Sequence, residues 1–233
     1  MTVVPVTVLT PVRPWRTRVA VATAVLALSV SATAWLLDEV RHGTGASLWD
    51  GPTLRWMVGH REPVASAVMT AVSAVGAGPI YWAIALVVAV VLLVRRRWVD
   101  ALLLTFSVVS ADTISRVMKL AVNRARPPAD LVLGLVERSP AFPSGHTIGT
   151  AALALAVAYV WWRGRPGQTR AAIGLVIALA VTALMATSRL YLAVHWLTDV
   201  LASTFLSFGV LALASLIDTF IQQRFPARPA PAA

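Results

Sequence analysis

The chain contains no cysteine, which excludes disulfides, thiolate nucleophiles and Cys-ligated zinc or iron–sulfur centres. Charged residues are also scarce, at 13%, where an ordinary soluble domain carries about 25%. Rarest are the acids, ten Asp and Glu against twenty Lys and Arg. Spread over one face, that basic excess would fit nucleic acid. Here the basic residues form short clusters between apolar stretches instead, the pattern of membrane topology, and no nucleic-acid partner is expected. Internal repeats are absent, and the one biased segment is the Pro/Ala/Arg tail at the C-terminus. The 233 residues therefore read as one bundle rather than several domains. What dominates is apolar: 58% hydrophobic residues and a mean hydropathy of +0.75. The expected fold is all-α, a polytopic membrane helical bundle.

A hydrocarbon core about 30 Å thick takes roughly 20 helical residues to cross. Six runs qualify: Val19–Leu37, Pro79–Val94, Trp98–Leu120, Thr147–Trp162, Ala171–Thr187 and Trp196–Ile221. Val64–Val75 precedes the second run across Gly76, Gly78 and Pro79 and reads as a separate interfacial or partly inserted helix. Arg13/Arg16/Arg18, Arg95–Arg97, Arg163/Arg165/Arg170 and Arg224/Arg228 then fall on one side, which the positive-inside rule makes cytoplasmic. The expected organisation is a cytoplasmic tail over residues 1–18, a six-helix domain over 19–221 and a cytoplasmic tail over 222–233, with Met1–Arg18 and Arg224–Ala233 loose. Arg13–Arg18, an apolar run and Ala32-Thr33-Ala34 also resemble a signal peptide with its cleavage site. Apolar character continues through Leu37, so the run is read as a retained span.

On the outer side the charge rule is broken. Lys119, Arg124, Arg126, Arg138 and Arg189 all fall at or near outer span ends. Arg138, with Arg41, Arg55 and Arg61 of the first outer loop, reads as loop decoration; the others belong to three compact constellations. In Lys119-Leu-Ala-Val-Asn-Arg-Ala-Arg126-Pro127 the helix is expected to leave at Arg126-Pro127-Pro128, so that a point charge and a planar guanidinium converge on one anion. In Pro143-Ser144-Gly145-His146, Ser144 is a candidate N-cap. Gly145 permits close backbone approach, and the helix N-terminus offers free N–H groups to an anion under His146. In Ser188-Arg189 followed by His195 and Asp199, the last two lie one helical turn apart. The carboxylate can then hold one ring nitrogen and leave the other as a nucleophile.

Three segments in this order, near the outer ends of spans three to six, resemble the signature of the type-2 phosphatidic acid phosphatase superfamily, membrane lipid phosphatases whose active site is similar to those of soluble acid phosphatases and vanadium haloperoxidases. Lys119, Arg126-Pro127, Pro143-Ser144-Gly145-His146, Ser188-Arg189, His195 and Asp199 all match it. The resemblance implies His195 as nucleophile forming a phosphohistidine, Asp199 as its orienting carboxylate and His146 as general acid and then base. It implies Lys119, Arg126, Ser144, Gly145 and Arg189 as phosphate-binding residues, with no metal and no cofactor. By analogy the substrate is a membrane lipid phosphate or a polyprenyl diphosphate, undecaprenyl diphosphate being slightly favoured over phosphatidate or phosphatidylglycerol phosphate, reached from the extracytoplasmic face of the cell membrane.

Two other classes remain open at this point: an anionic-lipid transporter or flippase, which would need no nucleophilic histidine, and vanadate-dependent haloperoxidase-like chemistry. Arg124 is expected at a lipid headgroup or second phosphate, and Asp112, inside a span, is expected to pair with Arg116 one turn on. Asn123, Tyr191 and Thr198 are close enough in sequence to line the site.

Overall fold

The computed structural model describes residues 15–163 and 167–225. They form eight α-helices and two short 3-10 turns, with no strand among the described residues. In chain order the helices are α1 (Trp15–His42), α2 (Asp50–Gly59), α3 (Pro63–Val75), α4 (Gly78–Val94), α5 (Trp98–Val122), α6 (Gly145–Trp162), α7 (Gln168–Tyr191) and α8 (Leu197–Arg224). All six expected apolar runs are helical, in α1, α4, α5, α6, α7 and α8, with Trp196 as the N-cap of the last.

Four of these helices, α1, α5, α7 and α8, are long and apolar enough to cross a bilayer individually, and α3 with α4, bent by 56°, forms a possible fifth span. α3 is thus a separate helix, as its flanking glycines and proline suggested. At the break, a Cβ on Gly76 would meet Met185 Cε at 2.5 Å and Thr150 Oγ1 at 3.1 Å, so the turn sits tightly against α6 and α7. α6 is the inner helix: of its 18 residues 11 are buried, against α5, α7 and α8. Protein rather than lipid covers it, which lets its first turn carry Gly145, His146 and Thr147.

Small residues let α6 and α8 approach closely enough to hydrogen-bond across their seam. Ser203 Oγ donates to the Ser144 carbonyl at 3.1 Å and Ser207 Oγ to that of Ile148 at 3.2 Å. α1 runs unbroken through Ala32-Thr33-Ala34 and lies along α8, where Gly209 faces Ser29.

Several expected boundaries move. α5 ends at Val122, before Arg126-Pro127, because Asn123 takes up a left-handed conformation (φ 47°), which the short polar Asn tolerates better than most residues. Trp15–Arg18 and Arg224, expected to be loose, are helical, as are Gln222 and Gln223 of the expected tail. Charge pairing draws them in: Arg18 donates to Asp218 at 3.0 Å and to Gln222 at 2.7 Å. The remaining tail residues, 1–14 and 226–233, lie outside the described residues, as does Arg165.

That pairing is part of a polar cluster closing one end of the bundle. Fully buried Asp218 accepts from Arg18, Tyr159, Arg163 and Gln222, and Arg163 reaches on to Asp100, which also binds Arg97. Members of three basic clusters, Arg18, Arg97 and Arg163, therefore gather at one end, as the topology rule required. Removing a carboxylate from such a cluster leaves its cations unpaired in low dielectric. Asp218→Ala is expected to cost about 3 kcal/mol, measured as a lower unfolding midpoint in detergent; an unchanged midpoint would show the cluster to be dispensable.

Candidate active site

At the opposite end, α7 closes with Ser188 and Arg189 in its last turn, and a five-residue turn leads into α8. The expected single helix through His195 and Asp199 is not there: His195 lies in the turn, ahead of the N-cap Trp196. The two residues still meet, because Asp199 is the third residue of α8 and reaches back over the helix start. Its Oδ2 accepts from the Trp196 N–H at 2.9 Å and lies 3.3 Å from His195 Nδ1. One carboxylate oxygen thus caps the helix and holds the ring. Ala193, with φ 57°, bends the turn so that Val194 N–H reaches the Arg189 carbonyl at 3.2 Å, a conformation costing a non-glycine residue roughly 1–2 kcal/mol.

His195 is almost wholly buried. Arg126 Nη1 sits 3.3 Å from its Nε2. A guanidinium only donates, so Nε2 is the acceptor, and the ring proton is on Nδ1 facing Asp199. Burial first, and then the charges of Arg189, Arg126 and Lys119, push the His195 pKa well below its usual value. The ring is a neutral base with its free lone pair on the cationic side.

The first motif supplies two cations that do different things. Arg126 is anchored by backbone: its Nε donates to the Ser139 carbonyl and its Nη1 to that of Val194, both at 2.6 Å. Lys119 Nζ, in the last turn of α5, donates to the Pro140 carbonyl and so holds the strap 139–141 with one of its three N–H donors. In the second motif Ser144 is the N-cap of α6, its Oγ accepting from the Thr147 N–H at 3.4 Å and the Thr147 hydroxyl at 3.0 Å. Those bonds fill its acceptor positions and leave its own O–H unspent. Gly145 begins the helix beside Ser115 and Lys119. The first-turn N–H groups have no intrahelical partners and open toward His146.

Sequence reasoning missed two acids and a serine. Glu137, on the loop between α5 and α6, joins the cations. Its carboxylate accepts from Arg126 Nη2 at 2.7 Å and from Arg189 Nη2, and lies 4.0 Å from His146 Nδ1. Burial alone would raise its pKa, but Arg189 and Arg126 pull it down to about 2. Arg189 is steadied by Ser73 of α3 on its other terminal nitrogen, while its Nε is buried without a partner among the described residues.

Arg124, expected at a headgroup, faces inward instead. It donates to Asp199 Oδ1, to Thr198 Oγ1 at 2.8 Å and to Asp50 Oδ2 at 2.6 Å. Asp50, at the start of α2, also accepts from Thr198 N–H at 2.9 Å and Thr198 Oγ1 at 2.8 Å. Thr198 is therefore part of this support. Asn123 and Tyr191 do not line the site: Asn123 ends α5, and Tyr191 binds Glu62 and Ser66 at the start of α3. Arg61, read as decoration, clamps the Tyr191 carbonyl through two nitrogens, at 3.0 and 2.8 Å. Asp112 pairs with Arg116 at 2.7 Å, as expected.

The arrangement joins a neutral, oriented imidazole to a cradle of guanidinium groups, a second histidine and a helix N-terminus. The PAP2 superfamily model matches residues 100–222, more than half of the chain and all three motifs. The chain belongs to the PAP2 superfamily. It is 27% identical over 164 residues to phosphatidylglycerophosphatase B of Bacillus subtilis (strain 168), covering 70% of this chain and 80% of that protein. Its fold matches a crystal structure of a transmembrane PAP2-type phosphatidylglycerolphosphate phosphatase from Bacillus subtilis, with TM-score 0.73 and 24% identity over 86% of this chain and 98% of that one. Aquifex aeolicus LpxE matches with TM-score 0.53 and 19% identity, over 72% of this chain and 94% of its own.

A lowered histidine pKa has a consequence for folding. Below its usual value of 6.5 the unfolded chain binds a proton that native His195 refuses, so stability falls as pH falls. Replacing His195 with Gln removes one proton from that linkage and should flatten the decline between pH 6.5 and pH 5 by up to about 1.4 kcal/mol per pH unit. Unfolding midpoints in detergent across that interval test this; parallel curves would mean that His195 titrates alike in both states.

Proposed function

We propose that this protein is a membrane lipid phosphatase that transfers the phosphoryl group of a lipid phosphate or polyprenyl diphosphate to His195 and then to water. The observation that carries the reading is the pairing of Arg126 Nη1 and Asp199 Oδ2 with opposite nitrogens of one buried imidazole. It leaves Nε2 as an unprotonated nucleophile inside a cationic cradle. A flippase would have no use for that tautomer, since anion binding needs charge and not a lone pair.

Nε2 attacks phosphorus in line and the P–O bond to the lipid breaks. Burial and then Arg189 lower the His146 pKa to about 4 in the free protein, so His146 takes up its proton with the arriving phosphate dianion, whose charge favours the imidazolium. It gives that proton to the leaving oxygen, and Asp199 stabilises the imidazolium that carries the phosphoryl group. His146, now neutral, takes a proton from water; the hydroxide attacks phosphorus, the P–N bond breaks and His195 returns to its starting form. Arg126, Arg189, Lys119, the Ser144 hydroxyl and the Gly145 N–H take the equatorial oxygens, where charge builds up in the transition state. No step calls for a metal.

We place the site at the extracytoplasmic face, because the basic clusters at the opposite bundle end mark the cytoplasmic side. On this reading both termini are cytoplasmic, and α6 and the α3–α4 pair complete six spans. A phosphate held at the headgroup plane leaves the lipid tail in the bilayer. Phosphatidylglycerol phosphate and undecaprenyl diphosphate are the substrates to compare first, the former because of the related Bacillus subtilis enzyme's name.

Phosphate release by the purified protein in detergent with EDTA, from those two lipids and phosphatidate, tests the reading. His195→Ala is expected to lose roughly 10⁴-fold or more in kcat. Asp50→Asn, which loosens Arg124 and Asp199 without touching substrate, is expected to lose roughly 10- to 100-fold. Release that survives in folded His195→Ala, or that EDTA abolishes, would overturn the mechanism. In the free enzyme the acid limb of kcat/KM, corrected for the substrate's own ionisation, should lie below pH 6.5, because His195 resists protonation; a limb above that pH would refute its assignment as the free base.

A further inference from the structure

Glu137 is the one carboxylate that enters the cationic cradle itself. It bridges Arg126 and Arg189 with its two oxygens, one on each guanidinium, and its Oε1 stands 4.0 Å from His146 Nδ1. Those are the groups that the proposed mechanism needs for phosphoryl oxygens and the leaving group. A carboxylate and a phosphoryl group present the same feature to a guanidinium, a pair of anionic oxygens, and both cannot hold the fork at once.

We infer that Glu137 is an internal competitor for the phosphoryl pocket, displaced when a lipid phosphate arrives and returned to the guanidinium groups when free phosphate is left there, so that it drives product out. The inference rests on the phosphatase reading of the site and adds a residue to it.

The loop around Glu137 is built to move. Leu135 and Val136, immediately before it, are 90% and 56% exposed, and Gly134 holds a positive φ of 101°. Outside the cradle, the segment is tied at its ends. Leu133 N–H bonds the Leu192 carbonyl at 3.0 Å, and beyond Glu137 the Ser139 and Pro140 carbonyls are held by Arg126 and Lys119. Glu137 can swing out while both anchors persist.

A competing internal state reduces the apparent affinity of every anion by the fraction of time that the pocket is open. Inorganic phosphate, held only by its charge, falls below useful affinity, whereas a lipid phosphate keeps the partition of its tail into the bilayer. The factor is the same for both, but it is the product, without a tail, that it takes below useful affinity.

The test uses the full chain in detergent micelles, with inorganic phosphate and orthovanadate as probes. Glu137→Gln keeps size and loses the charge, and is expected to bind inorganic phosphate at least 10-fold more tightly by calorimetry, with stronger product inhibition of turnover. Glu137→Asp, which keeps a charge on a shorter stem, should fall between wild type and Gln. Phosphate affinity that is unchanged or weaker in folded Glu137→Gln overturns the inference, because Glu137 would then support the pocket instead of competing for it. In wild type, which needs no variant to fold, orthovanadate should speed amide hydrogen exchange over residues 134–138; slower or unchanged exchange there also overturns it. Absence of binding for both probes in wild type and both variants would instead remove the phosphatase reading itself. Binding in wild type that Glu137→Gln fails to tighten leaves that reading standing and removes only the competitor.

Discussion

Asp199 is a carboxylate with no solvent exposure at the start of an apolar helix, and the geometry of the site depends on how its charge is met. Taking an ion out of water costs several kcal/mol even after relaxation, and partners recover that only when every lone pair is used. Here each oxygen is assigned: Oδ1 to Arg124, Oδ2 to the Trp196 N–H and His195. The ring nitrogen that faces Arg126 is thereby fixed, and with it the side of the imidazole that the proposed mechanism uses. Arg124 is in turn held by Asp50, which also binds both the N–H and the hydroxyl of Thr198. α2, distant in sequence and polar in its first turn, thus closes a ring of charges around the beginning of α8.

Which of this was legible in the sequence follows the range of the interactions. The apolar runs and the Ser144 cap are local: a helix reads its own next few residues, and all six runs and the cap appear where expected. The three motifs were legible for the same reason. Asp50 meets Thr198 across 148 positions and Ser73 meets Arg189 across 116; no local pattern marks either, since a lone Asp at a helix start or a Ser in an apolar helix has common explanations. Arg124 was misplaced because its motif neighbours are cations that face the cradle, and its opposite orientation follows from the left-handed turn at Asn123, which reverses the direction of the chain before Arg124. Glu137 left one trace, as an acid within a basic outer segment.

The two ends of the bundle solve the problem of charge in an apolar setting differently. At the end with Asp218, two carboxylates meet three guanidinium groups and Asp218 uses both oxygens on four donors, although Arg163 Nε is buried without a partner among the described residues. At the other end Arg124 is consumed by Asp50 and Asp199, Arg126 and Arg189 share Glu137, and Lys119 has no carboxylate in ion-pair contact among the described residues. Burying three cations against one carboxylate is a poor arrangement for stability alone.

On the proposed reading of the site, this excess of positive charge bears on which anion the pocket takes. With Glu137 in place, Arg124, Lys119, Arg126 and Arg189 face Asp50, Asp199 and Glu137, one positive charge in excess, the same excess that a monoanion in place of Glu137 would leave. With Glu137 withdrawn, two positive charges are uncompensated, the charge of a phosphate monoester dianion with the sign reversed. A monoanionic phosphodiester, the ordinary headgroup linkage of a bilayer, would leave one of them unmet in low dielectric. The balance of buried charge therefore favours a terminal phosphate over the phosphodiester groups around it, through charge alone and before any contact with the lipid tail is counted.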